Sequence, residues 1–322
     1  MIGFIVIGKN ESSKLSRCFG SIVAFVKQNN IQKYEIIYVD SDSTDNSIEV
    51  AKSFAEIKVF QIKGNVNAAL GRNIGASNAS SDILVFIDGD MELMPEFYPL
   101  AFKNEKELVY KFTSGKFVNW YYDKHGKFIQ KEIYQSHKKD RFESTTGGLF
   151  IIDKELWDQI GGMNTKFKTG EDLDLGLRLA KKGIPLLRKP QVLANHHTIS
   201  YKDNSRMWKM LFKGLTTYSR SVLYRQHLLN KYIYVRILKS DMSSILMVLC
   251  VILAIFYSKV IILLPYVCFL LLGAYIKKMN RNIIRLLLFF VPYLIIRDLY
   301  TVWAFLFFYP KKIENYQVIN HN

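Results

Sequence analysis

At 322 residues, 49% hydrophobic and with a formal net charge of +16, the chain can bury a full α/β core and still have about a hundred residues over. Residues 1–200 carry 27 Lys and Arg against 24 Asp and Glu, and residues 201–322 carry 17 against 4. The positive charge therefore gathers beside the apolar C-terminal runs and not on a folded domain with aromatics for stacking. That excludes a nucleic-acid binder and points to anionic lipid headgroups. Cys18, Cys250 and Cys268 show no CxxC spacing, so neither a disulfide framework nor a zinc site is indicated and a reducing compartment is expected.

The chain opens on "MIGFIVIGKNE", about seven apolar residues before Lys9. That is too short for the core of a signal peptide and reads as a first strand, so the front domain is expected in the cytosol. "GFIVIG", "YEIIYVD" and "DILVFIDGD" are unbroken apolar runs of the kind a parallel strand buried on both faces requires. Helical spacing recurs at residues 13–28, 45–55 and 68–79. Strand, helix, strand, helix, strand in this order predicts right-handed crossovers and an open, mostly parallel sheet, with ligands at the carboxyl ends of the strands. Those ends are polar: Gly8-Lys9-Asn10-Glu11, Asp40-Ser41-Asp42 and Asp88-Gly89-Asp90.

Strands are expected within "LVYKFTSG" and "KFVNWYY", a helix at "EDLDLGLRLAKKGI" with Leu173, Leu177 and Leu179 or Ala180 turned inward, and a strand at "PLLRKPQVLANHH". The predicted organisation is a globular domain over 1–200, a basic amphipathic helix and linker over 201–241, two to three transmembrane helices over 242–310 and a short polar tail over 311–322. A hairpin at Ser258-Lys259 is expected to return the cluster Lys277, Lys278, Arg281 and Arg285 to the cytoplasmic side. The last run, interrupted by Arg297-Asp298, either spans once or dips in and returns.

The chemistry is concentrated at the strand ends. Side chains at i and i+2 of an extended chain point the same way, about 6–7 Å apart at Cα. Asp88 and Asp90 so placed suit one hard divalent cation, although Asp-Gly also makes an ordinary turn. Upstream, "GRNIGA" puts Arg72 where it can approach phosphate oxygens or the acidic pair. Glu171-Asp172 open a helix, and Asp174 reads as a cap or a solvated residue of its first turn.

In order along residues 1–200, "FIVIGKNES", "YVDSDSTD", "GRNIGA", "FIDGD", "TTGGLFIIDKELWDQIGGMN" and "GEDLDLGLRLAKKG" resemble a family 2 glycosyltransferase of the GT-A fold. The resemblance implies a mostly parallel α/β domain binding a nucleotide-sugar donor through Gly8, Asn10, Glu11, Asp40, Asp42, Arg72 and Asp88. It implies Mn²⁺ or Mg²⁺ on Asp88 and Asp90, with His196 or His197 completing the shell, and Asp172 as catalytic base. Asp40-Ser41-Asp42 departs from the adjacent aspartates common in the family, leaving open which carboxylate meets the ribose. The Gln-x-x-Arg-Trp motif of processive members is missing after Gly183, which points to transfer of a single sugar. The expected acceptor is a lipid-linked or surface-polysaccharide hydroxyl at the cell membrane. A polyprenyl-phosphate sugar synthase and a sugar nucleotidyltransferase remain alternative readings.

Overall fold

The computed structural model describes residues 1–123, 125–134, 137–199, 204–277 and 286–321. The chain divides into two units, Met1–Asp203 with Lys311–Asn322, and Asn204–Pro310.

In the first unit β1 (Ile2–Gly8), α1 (Ser12–Gln28), β2 (Tyr34–Asp40), α2 (Ser47–Lys52), β3 (Ile57–Gly64), α3 (Ala68–Ser77) and β4 (Ile83–Asp88) alternate as the apolar runs predict. These four strands are parallel in the order β3-β2-β1-β4. β3 is absent from the sequence reading, because Lys58, Gln61 and Lys63 interrupt its apolar residues. Next come β5 (Met91–Leu93), the short helix α4 (Tyr98–Ala101) and a two-stranded ribbon of β6 (Phe102–Asn104) and β7 (Glu107–Leu108).

The second half of the sheet is mixed. β8 (Phe112–Tyr122) is one long strand where two were expected. It is followed by β9 (Phe128–Tyr134), β10 (Arg141–Glu143), β11 (Phe150–Asp153), α5 (Lys154–Ile160), α6 (Glu171–Lys181) and β12 (Leu186–Ile199). β11 joins the halves, running antiparallel to both β4 and β8. β12 lies parallel to β8 and also pairs β5.

Within the segment read as a short polar tail over 311–322, Tyr316–Asn320 forms β13, antiparallel to β3. Its backbone covers the edge of β3, whose N–H and C=O groups would otherwise stay unpaired.

Two apolar layers sandwich the sheet. Phe4 and Val6 pack under α1 with Leu15, Phe19 and Ile22, while Ile5 and Ile7 face Leu70, Trp157 and Leu175 on the other side. Within α6, Leu175, Leu177 and Leu179 are buried and Leu173 only half-buried. Asp174 is fully buried and ion-paired with Arg178 at 2.8 Å, which corrects its reading as a solvated cap. Arg178 also donates to the carbonyls of Ile160 and Gly162, tying α6 to the end of α5.

The second unit is helical: α7 (Asn204–Phe212), α8 (Leu215–Thr217), a π-helical turn at Tyr218–Val222, α9 (Leu223–Gln226), α10 (Lys231–Ser240), α11 (Met242–Tyr257), α12 (Leu264–Lys277) and α13 (Val291–Phe307). The continuous amphipathic helix expected over 205–239 is broken at Gly214, whose φ of +66° is left-handed, and at Asn230, which caps α10. Among the described residues Leu287–Phe307 is the one helix long and apolar enough to cross a membrane, and α10 and α11 pass that test together but are bent by 84°. Arg297 and Asp298 do not interrupt α13 as exposed charges. They are buried and paired, with Asp298 also accepting from Ser244 and Tyr266. Of the expected basic cluster, Lys278, Arg281 and Arg285 lie outside the described residues.

Candidate active site

The parallel register brings the polar strand ends together. Gly8 is level with Asp40, and Ile7 with Asp88. The loops beyond are held by each other: Ser41 N donates to Gly8 O at 2.9 Å, Asn10 N to Ser43 Oγ at 2.8 Å and Thr44 N to Asn10 Oδ1 at 2.7 Å. Asn10 and Asp42 both adopt left-handed φ, +58° and +61°, a region that short polar side chains tolerate. Asp40 is fully buried, with one oxygen on the Tyr38 hydroxyl at 3.0 Å and the other on Ser43 N at 2.8 Å. In this arrangement it braces the turn, and the half-buried Asp42 is the more open carboxylate.

Asp88, at the end of β4, is bound by Arg72 at 2.7 Å, and the same buried guanidinium reaches Glu171 at 3.1 Å. One cation thus joins the strand-end carboxylate to the first turn of α6, where Asp172 stands. Backbone crowds this junction. Gly148 O accepts from Arg72 at 3.3 Å, and a Cβ on Gly148 would lie 2.3 Å from Asp88 Oδ2, so any other residue would displace the Asp88–Arg72 pair. Burial raises the Asp172 carboxyl to about 7, aided by the Glu171 charge and opposed by Arg72. It accepts a hydrogen bond from Leu173 N at 2.9 Å.

Asp90 lies 3.3 Å from His196 Nε2 and 3.8 Å from Lys14. Asn119 Oδ1 accepts from His196 Nδ1 at 2.9 Å, while the Asn119 amide donates to the Tyr121 hydroxyl. This pairing assigns the proton to Nδ1, so the lone pair of Nε2 points at the Asp90 carboxylate. Two acceptors at that distance need a proton or a cation between them. Burial opposes the charged imidazole, but Asp90 overrides it and the His196 pKa is raised.

The carboxylate and imidazole groups are of the kind that suit a divalent cation, and Asn119 fixes the orientation of the His196 ring. Among the described residues no group of three or more His, Cys, Asp or Glu side chains converges to hold an ion unaided. Glu11 sits close by, ion-paired with Lys14 at 2.7 Å, and burial lifts its carboxyl above the ordinary range.

His197 is directed elsewhere. Its Nε2 meets Glu92 at 3.1 Å and its Nδ1 the Tyr122 hydroxyl at 2.9 Å, beside Arg17. A cavity of about 260 Å³ opens there, lined by Lys14, Arg17, Tyr122, Asp123, His197 and Thr198. Sequence reasoning missed Lys14, Asn119, Gly148 and the pairing of Glu171 with Arg72. Asn119 lies in a mixed, charged and aromatic stretch without any motif, whereas Gly148 and Glu171 stood inside motifs already singled out.

The family described as "Glycosyl transferase family 2" matches residues 4–163, the span that holds β1 to β4, Arg72 and both strand-end aspartates. The N-terminal unit is a glycosyl transferase family 2 domain. A second family, described as "N-terminal domain of galactosyltransferase", matches residues 128–202 and so covers α6 and His196. An uncharacterized glycosyltransferase of Bacillus subtilis, YfnE, is 27% identical over 54% of this chain and 43% of its own length. The putative teichuronic acid biosynthesis glycosyltransferase TuaG of the same organism is 26% identical over 58% of this chain and 75% of that protein. The chain thus spans less than half the length of the first of these relatives. Among solved structures, GalNAc-T7 with UDP, GalNAc and Mn²⁺ aligns with a TM-score of 0.50 at 19% identity, covering 61% of this chain and 43% of that one. This likeness shows a shared GT-A-like fold.

Proposed function

We propose that the protein is an inverting glycosyltransferase that moves a single sugar from a nucleotide-sugar donor to the hydroxyl of a lipid-linked or surface-polysaccharide acceptor at the cytosolic face of a membrane. The observation that carries this reading is the Asp172 carboxyl, raised to about 7 and joined to the strand-end site through Glu171, Arg72 and Asp88. A base with that pKa is half ionised near neutrality and accepts a proton from an attacking hydroxyl effectively. A lipid phosphate acceptor needs no such base, so this feature favours a hydroxyl acceptor over a polyprenyl phosphate.

Asp88, Asp90 and His196 are the residues that would hold Mn²⁺ or Mg²⁺. When bound, such an ion neutralises charge on the departing nucleoside diphosphate. Arg72 holds Asp88 and α6 in fixed relation, which keeps the base at a set distance from the donor. The loops carrying Gly8, Asn10, Glu11 and Asp42 supply backbone and side-chain groups for the nucleotide, with Asp40 bracing them from beneath. GalNAc-T7, solved with UDP and Mn²⁺, supports a donor and metal of this kind, and the TuaG name supports a surface polysaccharide as product. Nucleotide sugars and three free cysteines fit a reducing compartment.

The test is nucleoside-diphosphate release by the detergent-solubilised chain across a panel of nucleotide sugars with Mn²⁺ and a lipid extract. Release that depends on one donor and on Asp90 supports the assignment. Absence of release from every donor, with nucleotide binding intact, overturns it.

A further inference from the structure

The helical unit has a charge and connectivity problem that a simple membrane span does not solve. Residues 204–310 contain fourteen Lys and Arg and two carboxylates, Asp241 and Asp298. Both carboxylates are buried and already engaged, Asp241 by Arg220 and Tyr224 and Asp298 by Arg297. Lys209, Lys213, Lys231 and Lys239 are exposed, so the unit holds no further acid to pair them. The unit also exposes large apolar side chains where α11 ends: Ile255, Phe256, Val260 and Ile261 are 74%, 78%, 79% and 73% exposed. A unit that presents both exposed apolar side chains and unmatched cations fits anionic lipid headgroups over an acyl layer.

Connectivity then limits how that surface meets the bilayer. The chain leaves the catalytic unit before Asn204 and rejoins it at Lys311, since β13 is a strand of the catalytic sheet. Both ends of the helical unit therefore lie on one side of a membrane, and the number of crossings is even. A lone crossing by α13 is excluded.

α13 also does not stand alone. Trp208 packs on Tyr293 with ring centroids 5.2 Å apart, Ser221 Oγ donates to Thr301 O at 2.7 Å, and Arg225 caps the carbonyls of Ala304 and Phe308 at 3.2 and 2.6 Å. From Tyr293 to Phe308 is fifteen residues, about 22 Å of helix, which α7 to α9 follow throughout. Were α13 to cross, exposed Lys209 and Lys213 would be drawn into hydrocarbon beside it.

We propose that α13 and the basic segment α7–α9 lie together in the headgroup plane, with both ends of α13 on the side of the catalytic unit, and that anionic phospholipid is the ligand of this surface. The inference rests on the membrane association proposed above but not on the sugar chemistry.

The experiment uses the unaltered chain in sealed vesicles with the catalytic unit outward. A membrane-impermeant amine reagent is added, followed by peptide mass spectrometry, before and after the vesicles are opened. Lys52, Lys209, Lys213 and Lys312 should all be modified in the sealed vesicles. Protection of Lys209 or Lys213 until opening, with Lys52 and Lys312 modified at once, overturns the in-plane helix while leaving membrane association intact. Recovery of the chain in the soluble fraction without detergent overturns the membrane reading itself. In a second arm, Lys209→Glu/Lys213→Glu should weaken binding to phosphatidylglycerol vesicles at least tenfold and leave the weaker binding to phosphatidylcholine vesicles unchanged; equal loss on both refutes headgroup recognition.

Discussion

The two units bury opposite things. In the catalytic unit apolar clusters lie above and below the sheet, and buried ion pairs stand at the carboxyl ends of the strands, where Arg72 joins Asp88 to Glu171, and within α6, where Asp174 meets Arg178. In the helical unit Arg297, Asp298, Ser243, Ser244 and Tyr266 form an interior polar cluster, while leucines, isoleucines and phenylalanines face outward. A core built for water puts its apolar groups inside; one built for lipid gains little by doing so and can hold helices together by hydrogen bonds. The contrast teaches that the same residue types, an Arg beside an Asp, stand at the polar strand ends of the candidate site in one unit and inside a helix bundle in the other.

The strongest way to break the comparison is to remove the charge at each site. Asp172→Asn should lower the rate of sugar transfer by about 10²–10⁴-fold, the usual contribution of a general base, with donor binding little changed. An unchanged rate in that variant would favour the lipid-phosphate acceptor. The wild-type rate at limiting acceptor should rise with pH through about 7, since Asp172 acts ionised. Sign matters here: the folded pKa lies above the ordinary 3.8, so ionising Asp172 costs folding stability as pH rises toward 7, while activity increases. A rate that falls over pH 6–8 contradicts the base assignment.

In the helical unit, Asp298→Ala leaves Arg297 buried without its partner. It should lower stability by about 3–5 kcal/mol, seen as an earlier thermal transition in detergent, with the catalytic unit's own transition unmoved. Asn119→Leu removes the acceptor of the His196 Nδ1–H and should weaken Mn²⁺ affinity about 10–100-fold, read by calorimetry. An unaltered affinity would remove His196 from the metal site. The smallest effect is expected from truncation before Tyr316. It strips β13 from β3 and should cost the catalytic unit about 1–3 kcal/mol, a few net hydrogen bonds, measured by denaturant unfolding.

The sequence by itself determined β1, β2 and β4 and the helices between them, because an unbroken apolar run can be satisfied only by burial on both faces; the interrupted β3 was not legible this way. It also marked the strand-end carboxylates, since local chain geometry dictates that i and i+2 point the same way. What only the tertiary structure decided are relations between residues far apart in the chain. Arg72 meets Glu171 across ninety-nine positions, Asn119 orients a histidine seventy-seven residues later, and the terminal segment returns to β3 as an edge strand. No local periodicity encodes these. Asp40 shows the same limit from the other side: its place at a strand end was legible, but its full burial and its bonds to the Tyr38 hydroxyl and Ser43 N were not. Burial and partner are properties of the packed chain, and they set a carboxylate's charge and role.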